Sequence, residues 1–186
     1  MLEKSIRYKD GKITIADDKL GKFMLSLSKE TDRALVIIVA AVLDEKLKEI
    51  LGAFLVGGKE SEIFLKRNLQ NFDTTNRAAF CLGLISKREY RLINGIRTLR
   101  NSFAHTFVTG DFDGTLESKK SEVFDMVTRF LPAYDKRDFK SSREAFEVIV
   151  IDIVASIWER DSEIEPIENI RTEDGWDVYL GYEEGE

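Results

Sequence analysis

The sequence predicts a mainly α-helical protein: a bundle of about six or seven helices with a small β element from hairpins at the two chain ends. Apolar residues recur at three- and four-residue spacing through a helical body of residues 20–162. Strand-like alternation is confined to the ends, at residues 5–15 and in the C-terminal segment 163–186. A chain of 186 residues, 43% of them hydrophobic, can bury its own core. We therefore predict one domain over residues 1–186.

The two end segments share a turn signal. Asp10-Gly11 and Asp174-Gly175 each lie between apolar, strand-like flanks, and Asp-Gly is typical of a type I′ hairpin. Because chain ends often lie close together, the two hairpins are predicted to form one small sheet.

The first predicted helices are one long central helix and two shorter helices after it. Residues 31–55 carry apolar side chains on all sides, which predicts a largely buried helix that ends before Gly57-Gly58. Shorter helices are predicted over 61–69 and 76–84. The second is expected to be capped by an aspartate or threonine of the turn at 71–75.

Three longer helices complete the predicted body. A new cap at Ser86 precedes a helix over 87–105, which is amphipathic, and a glycine-containing loop at 109–115 ends it. Helices over 117–131 and 141–160 follow, and the strongly apolar second one is predicted to lie in the core.

Composition excludes several function classes. Cys81 and His105 are the only cysteine and histidine, so zinc sites of the Cys/His type and a triad with a spare imidazole are excluded. We expect no metal and no cofactor. A carboxylate metal site at Asp32, Asp44 and Glu45 lacks further ligands at helical spacing, and ion pairs with Arg33, Arg97 or Arg100 are expected instead. Cys81 is expected to be a core thiol.

The chain shows no targeting or membrane signal. The N-terminal residues contain no apolar segment typical of a secretion signal, and the longest apolar run, residues 34–43, is too short to span a bilayer. Together with the unpaired cysteine, this predicts a cytoplasmic protein without membrane contact.

Charge is unevenly distributed. The net charge is −6, yet residues 161–186 carry ten acids and one arginine, a balance of −9 that leaves +3 on residues 1–160. Such a chain is a poor default nucleic-acid binder, and no helix-turn-helix, zinc finger or basic zipper is evident. Direct DNA binding is therefore not expected. Six cations remain candidate phosphate contacts: Lys66, Arg67, Arg77, Lys87, Arg88 and Arg91.

One short motif suggests chemistry. The sequence Arg100-Asn101-x-x-x-His105 places an imidazole near a guanidinium, and such a pair can transfer protons and bind a phosphate during RNA cleavage. It resembles the Arg-polar-x-x-x-His motif of HEPN domains, helical bundles that include dimeric RNA-cleaving toxins. The alternative is structural, with Arg100 paired to Asp32 or Asp44.

A longer resemblance covers residues 28–106. The segments ETDRA at 30–34, AAVLDEKL at 40–47, NRAAFCLGLIS at 76–86 and RNSFAH at 100–105 are similar, in this order, to the mannitol operon repressor (MltR) family. The resemblance implies an all-helical regulator without a standard DNA-reading module, which favours repression through another protein.

The acidic C-terminal end is the candidate partner-binding site. Its aromatic anchors in an acidic surround suit a basic protein partner. The residues are Trp176, Asp177, Tyr179, Tyr182, Glu183 and Glu184. Folding of this end onto the body is the alternative.

The sequence thus predicts a non-catalytic, MltR-like regulator that binds a protein. Two alternatives stay open: an immunity or antitoxin protein that neutralises a basic nuclease toxin, and a metal-independent HEPN-type ribonuclease using Arg100, Asn101 and His105. RNA binding and a homodimer also stay open.

Overall fold

The computed structural model confirms a mainly helical bundle. It describes residues 7–9, 12–14, 18–108, 115–158 and 160–167, with side chains for residues 19–104, 115–158 and 160–167. In chain order the helices are α1 (Asp18–Leu27), α2 (Asp32–Phe54), α3 (Gly58–Asn68), α4 (Phe72–Cys81), α5 (Lys87–Val108), α6 (Lys120–Phe130) and α7 (Ser142–Ile157). Short 3₁₀ turns cover Leu116–Lys119, Lys136–Asp138 and Arg160–Glu163.

The predicted sheet joining the two chain ends is not supported. Strands β1 (Arg7–Lys9) and β2 (Lys12–Thr14) pair only with each other, antiparallel, with Tyr8 opposite Ile13. The predicted C-terminal hairpin lies outside the described residues. Two strands of three residues cannot form a layer of the fold, so the described part of the chain is built on helix packing alone.

Local signals explain the first helix boundaries. Thr31 caps α2 by accepting a hydrogen bond from the amide of Ala34, and α2 ends before Gly57 and Gly58. Both glycines have positive φ, at 84° and 79°, a conformation that side chains with a Cβ rarely adopt. They allow the chain to turn directly into α3.

The boundary of α4 differs from the prediction. Asn71, and neither the aspartate nor a threonine of this turn, caps the helix by accepting from the amide of Thr74 at 2.9 Å. The helix therefore begins at Phe72, four residues earlier than expected. The new cap expected before α5 is confirmed: Ser86 and Glu89 form a reciprocal capping pair.

Helix α2 is the centre of the bundle and packs against α3, α4, α5 and α7. The expected core faces are confirmed, because α5 buries Ile93, Ile96, Leu99 and Phe103. The apolar face of α7 is also buried: Val148, Ile149, Ile151, Ile153, Val154 and Ile157. Burial of each such side chain stabilises the fold by roughly 1.5–3 kcal/mol.

One expectation about burial is wrong. Cys81, the last residue of α4, is exposed instead of lying in the core. The preceding residue, Phe80, reaches α5, where its ring stacks on Tyr90 with centroids 4.7 Å apart. The largely buried helix expected at α2 is confirmed, although Ile37 on this helix is 41% exposed.

In the part of the chain that the structure describes, no helix is both long enough and apolar enough to cross a membrane.

Candidate functional site

The structure places the Arg-Asn-x-x-x-His motif on the last turns of α5. Nη1 of Arg100 donates a hydrogen bond to Oδ1 of Asn101 at 3.0 Å. Arg100 is exposed and Asn101 is half-buried. His105 lies on the same helix four residues after Asn101, the spacing that puts two residues on one helix face, but its side chain lies outside the described residues. Two of the three motif side chains are thus seen on the surface of α5.

Arg100 does not pair with Asp32 or Asp44, as the structural alternative predicted. Asp32 instead forms an ion pair with Arg143 on α7, and Asp44 pairs with Lys48 on its own helix at 2.8 Å. Arg143 is 111 residues from Asp32 in sequence, so no local pattern could indicate this pairing.

Arg143 forms a network that joins three parts of the chain. Its guanidinium donates to the Asp32 carboxylate at 2.8 Å, to Glu147, and to the backbone oxygens of the turn between α1 and α2. Those backbone acceptors are Leu27, Ser28 and Glu30. The second carboxylate oxygen of Asp32 accepts from the amide of Leu116.

The network also stabilises the charged form of Arg143. Burial lowers the pKa of its guanidinium, but hydrogen bonds to Asp32 and Glu147 outweigh that effect and raise the pKa above its ordinary value. The charged Arg143 therefore holds Asp32 at the start of α2. Through Asp32, the network also reaches the first residues after the 109–114 segment.

The other carboxylates near this helix pair with cations other than the predicted arginines. Glu45 pairs with Lys48, and the hydrogen bond that Lys48 donates to Asp44 is the main reason why the pKa of Lys48 is raised. Arg97, expected as a partner of the α2 acids, pairs with Asp73 on α4 at 3.3 Å. No cluster of three or more His, Cys, Asp or Glu residues suited to a metal ion occurs among the described residues.

The candidate tail lies outside the described residues: Trp176, Asp177, Tyr179, Tyr182, Glu183 and Glu184. Its starting point is fixed, however. The amide of Ile167 donates to the carbonyl of Phe54 at 2.8 Å, and Ile164 packs against the core. The last described residues of the chain therefore lie beside the C-terminal end of α2.

The six candidate phosphate contacts lie on three helices. Lys66 and Arg67 lie on α3, Arg77 lies on α4, and the other three begin α5. Arg77 is paired with Asp73, and Arg88 is paired with Asp152.

Sequence reasoning missed a denser cation cluster near α7. Lys120, Lys136, Arg137 and Lys140 line a cavity of about 440 Å³ between the start of α6 and the connection to α7. The signal available in the sequence is three cations within residues 136–140, between the helices predicted over 117–131 and 141–160.

No protein-family model matches the chain, and no curated protein or solved structure matches it either. The resemblance to mannitol operon repressors therefore stays a prediction.

Proposed function

We propose that this chain is a non-catalytic, MltR-like regulator that acts by binding another protein through its acidic C-terminal end. The observation that carries the proposal is the composition of the C-terminal end. The aromatic residues Trp176, Tyr179 and Tyr182 lie among its acids in the sequence. Ile167, the last described residue before this segment, is hydrogen-bonded to Phe54 at the end of α2.

Charge indicates the kind of partner. Residues 161–186 carry a balance of −9. An acidic segment with aromatic anchors is complementary to a basic surface, which steers association and excludes acidic competitors. The specific form of this proposal is an immunity or antitoxin protein that covers the basic active site of a nuclease toxin.

The surface position of the α5 motif is consistent with this proposal. Arg100 and Asn101 bond to each other on the surface of α5, where a macromolecular partner can reach them.

A pull-down from the native host's lysate at moderate salt tests the proposal. Full-length protein is compared with a chain truncated after Ile167, which keeps the Ile164 packing and the hydrogen bond to Phe54. The triple variant Trp176→Ala, Tyr179→Ala, Tyr182→Ala tests the anchors in a full-length chain. We expect one stoichiometric basic protein that is retained by the full chain and lost with both changes.

A matched control separates the tail from general surface hydrophobicity. Leu25 and Phe64 are 63% and 49% exposed, so the double variant Leu25→Ala, Phe64→Ala removes comparable exposed apolar groups from the body. It should retain the partner. Retention of the same protein by the truncated chain would contradict the proposal.

A second candidate function is favoured by the contact between Arg100 and Asn101. If Asn101 also orients His105 one turn further along α5, the three residues form a proton-transfer and phosphate-binding group suited to RNA cleavage. A homodimer would bring two copies of this group together.

The ribonuclease candidate predicts RNA cleavage by purified protein in the presence of a metal chelator. His105→Ala should abolish cleavage and leave the melting temperature unchanged, whereas Thr98→Ala on the exposed face of α5 should change neither cleavage nor the melting temperature. Unchanged RNA with wild-type protein, together with a lower melting temperature for His105→Ala, would show that the histidine is structural.

A further inference from the structure

The cavity between α6 and α7, called here the α6–α7 cavity, has a cationic wall. Its volume of about 440 Å³ is in the range typical of small-molecule sites. Four of its eight lining residues are cations, and none is acidic: Lys120, Lys136, Arg137 and Lys140. Such a wall attracts an anion.

Two of the four cations are available to a ligand. Lys120 pairs with Glu117 at 2.6 Å and Arg137 pairs with Asp135 at 2.9 Å. Within the described part of the chain, Lys136 and Lys140 form no ion pair. Their ammonium groups are the free charges of the wall.

Two further carboxylates near the wall, those of Glu144 and Asp138, accept hydrogen bonds from backbone amides. Glu144 accepts from the amide of Lys140 at 2.7 Å, and Asp138 accepts from the amide of Asp135 at 2.6 Å. These acids stabilise the connection without neutralising the lysines by direct contact. The connection is therefore folded into a fixed shape while its lysine charges stay open.

The start of α7 adds to the attraction. Ser141, the N-cap of this 16-residue helix, also lines the cavity. The N-terminal end of a helix carries a partial positive charge and favours phosphate. The lysines and the helix end thus act on the same volume.

The floor of the cavity is aromatic. Phe124 and Phe139 line it with ring centroids 6.3 Å apart, and both side chains are largely buried beneath the cationic wall. A free inorganic anion would leave this apolar floor uncovered. A ligand that carries a ring or another apolar part beside its anionic group would cover it.

We propose that the α6–α7 cavity binds a small organic phosphate, with the phosphate beside Lys136 and Lys140 and the uncharged part against Phe124 and Phe139. The site lies on other elements than the tail and the α5 motif. It would give a regulatory protein a small-molecule input that is independent of its protein-binding end.

Calorimetric titration of the full chain tests this assignment. The probes are phenyl phosphate and AMP, with inorganic phosphate, phenol and adenosine as the matching fragments. We expect both organic phosphates to bind about tenfold or more tightly than any fragment. Their affinity should fall as the salt concentration rises, because salt screens the attraction between the phosphate and the lysines.

Two double variants locate the site. Lys136→Ala, Lys140→Ala should weaken AMP and phenyl phosphate about tenfold or more, and folding should be unaffected because both side chains are exposed and unpaired. Lys29→Ala, Lys59→Ala removes the same charge from two exposed positions outside the cavity and should leave binding unchanged.

Three results would overturn the assignment. They are no binding of either organic phosphate, equal weakening by the two double variants, and binding of a single-stranded RNA oligonucleotide where the small phosphates do not bind. Failure of the tail to capture a partner bears only on the proposed function, since none of these titrations involves the tail.

Discussion

Glu89 shows how one buried charge connects two helices. Its carboxylate accepts hydrogen bonds from both terminal nitrogens of Arg160, at 2.6 and 2.9 Å, and from the amide of Ser86 at 2.7 Å. Burial alone would raise the pKa of Glu89, but these hydrogen bonds and the charge of Arg160 outweigh it and hold the pKa at about 2. The pair fastens the chain after α7 to the first turn of α5.

The lowered pKa predicts acid sensitivity. Glu89 has an ordinary pKa of 4.5 when unfolded and about 2 when folded, so its contribution is complete above pH 4.5 and is lost as the pH falls towards 2. Glu89→Gln should lower the free energy of unfolding by roughly 3 kcal/mol at neutral pH. Urea unfolding between neutral pH and acid should show this loss shrinking as the pH falls.

Glu122→Gln is the matched control, because Glu122 is exposed on α6. It should change the unfolding free energy little at any pH. If the difference in unfolding free energy between the wild type and Glu89→Gln stays constant down to about pH 3, the lost stability is not linked to ionisation of Glu89.

The exposed thiol of Cys81 makes a second prediction. Because Cys81 lies on the surface at the end of α4, it should react with an aromatic disulfide reagent in the folded protein. The released thiolate, measured by absorbance, should reach one equivalent without denaturant. Cys81→Ser should abolish the signal and leave the melting temperature unchanged, and reaction only after denaturation would restore the prediction of a core thiol.

The contact between α5 and α6 depends on a glycine. A Cβ placed on Gly95 would lie 2.5 Å from Sδ of Met126, which is itself only 5% exposed. Gly95 therefore lets α6 approach α5 closely, at the cost in helix stability that glycine carries in a helix interior.

Gly95→Ala should have opposite effects in two backgrounds. With Met126 present, the clash should destabilise the fold by roughly 1–3 kcal/mol. With Met126→Ala, the added methyl group should have space, and alanine should stabilise α5 by up to about 1 kcal/mol. Chemical denaturation of all four chains of this double-mutant cycle measures the coupling, and additive effects would show that the two side chains do not meet.

The charge of the whole chain determines how it meets nucleic acid. A net charge of −6 and candidate cations spread over α3, α4 and α5 predict weak DNA binding without sequence preference. Titration with its own promoter fragment should show an affinity that falls steeply between low and physiological salt. Unrelated DNA should compete for the protein as well as the promoter fragment does. Sequence-selective, sub-micromolar binding at physiological salt would establish direct operator recognition.

Helix formation and the choice of core faces followed from the sequence alone. The apolar periodicity of α5 and α7, the cap at Ser86 and the glycine pair after α2 act between residues close in the chain. Helix caps and amphipathic faces depend on such local spacing, so a single sequence contains them.

Tertiary packing decided which charges meet and which side chains stay outside. The pairs of Asp32 with Arg143 and Glu89 with Arg160 join residues 111 and 71 positions apart, and no spacing rule covers such distances. The same holds for the α6–α7 cavity, whose cations come from two segments. The sequence by itself determined the helices and their apolar faces, because these follow from short-range periodicity. Only packing determined the ion pairs between distant residues, the exposed Cys81 and the cationic cavity, because these depend on how distant helices are oriented against each other.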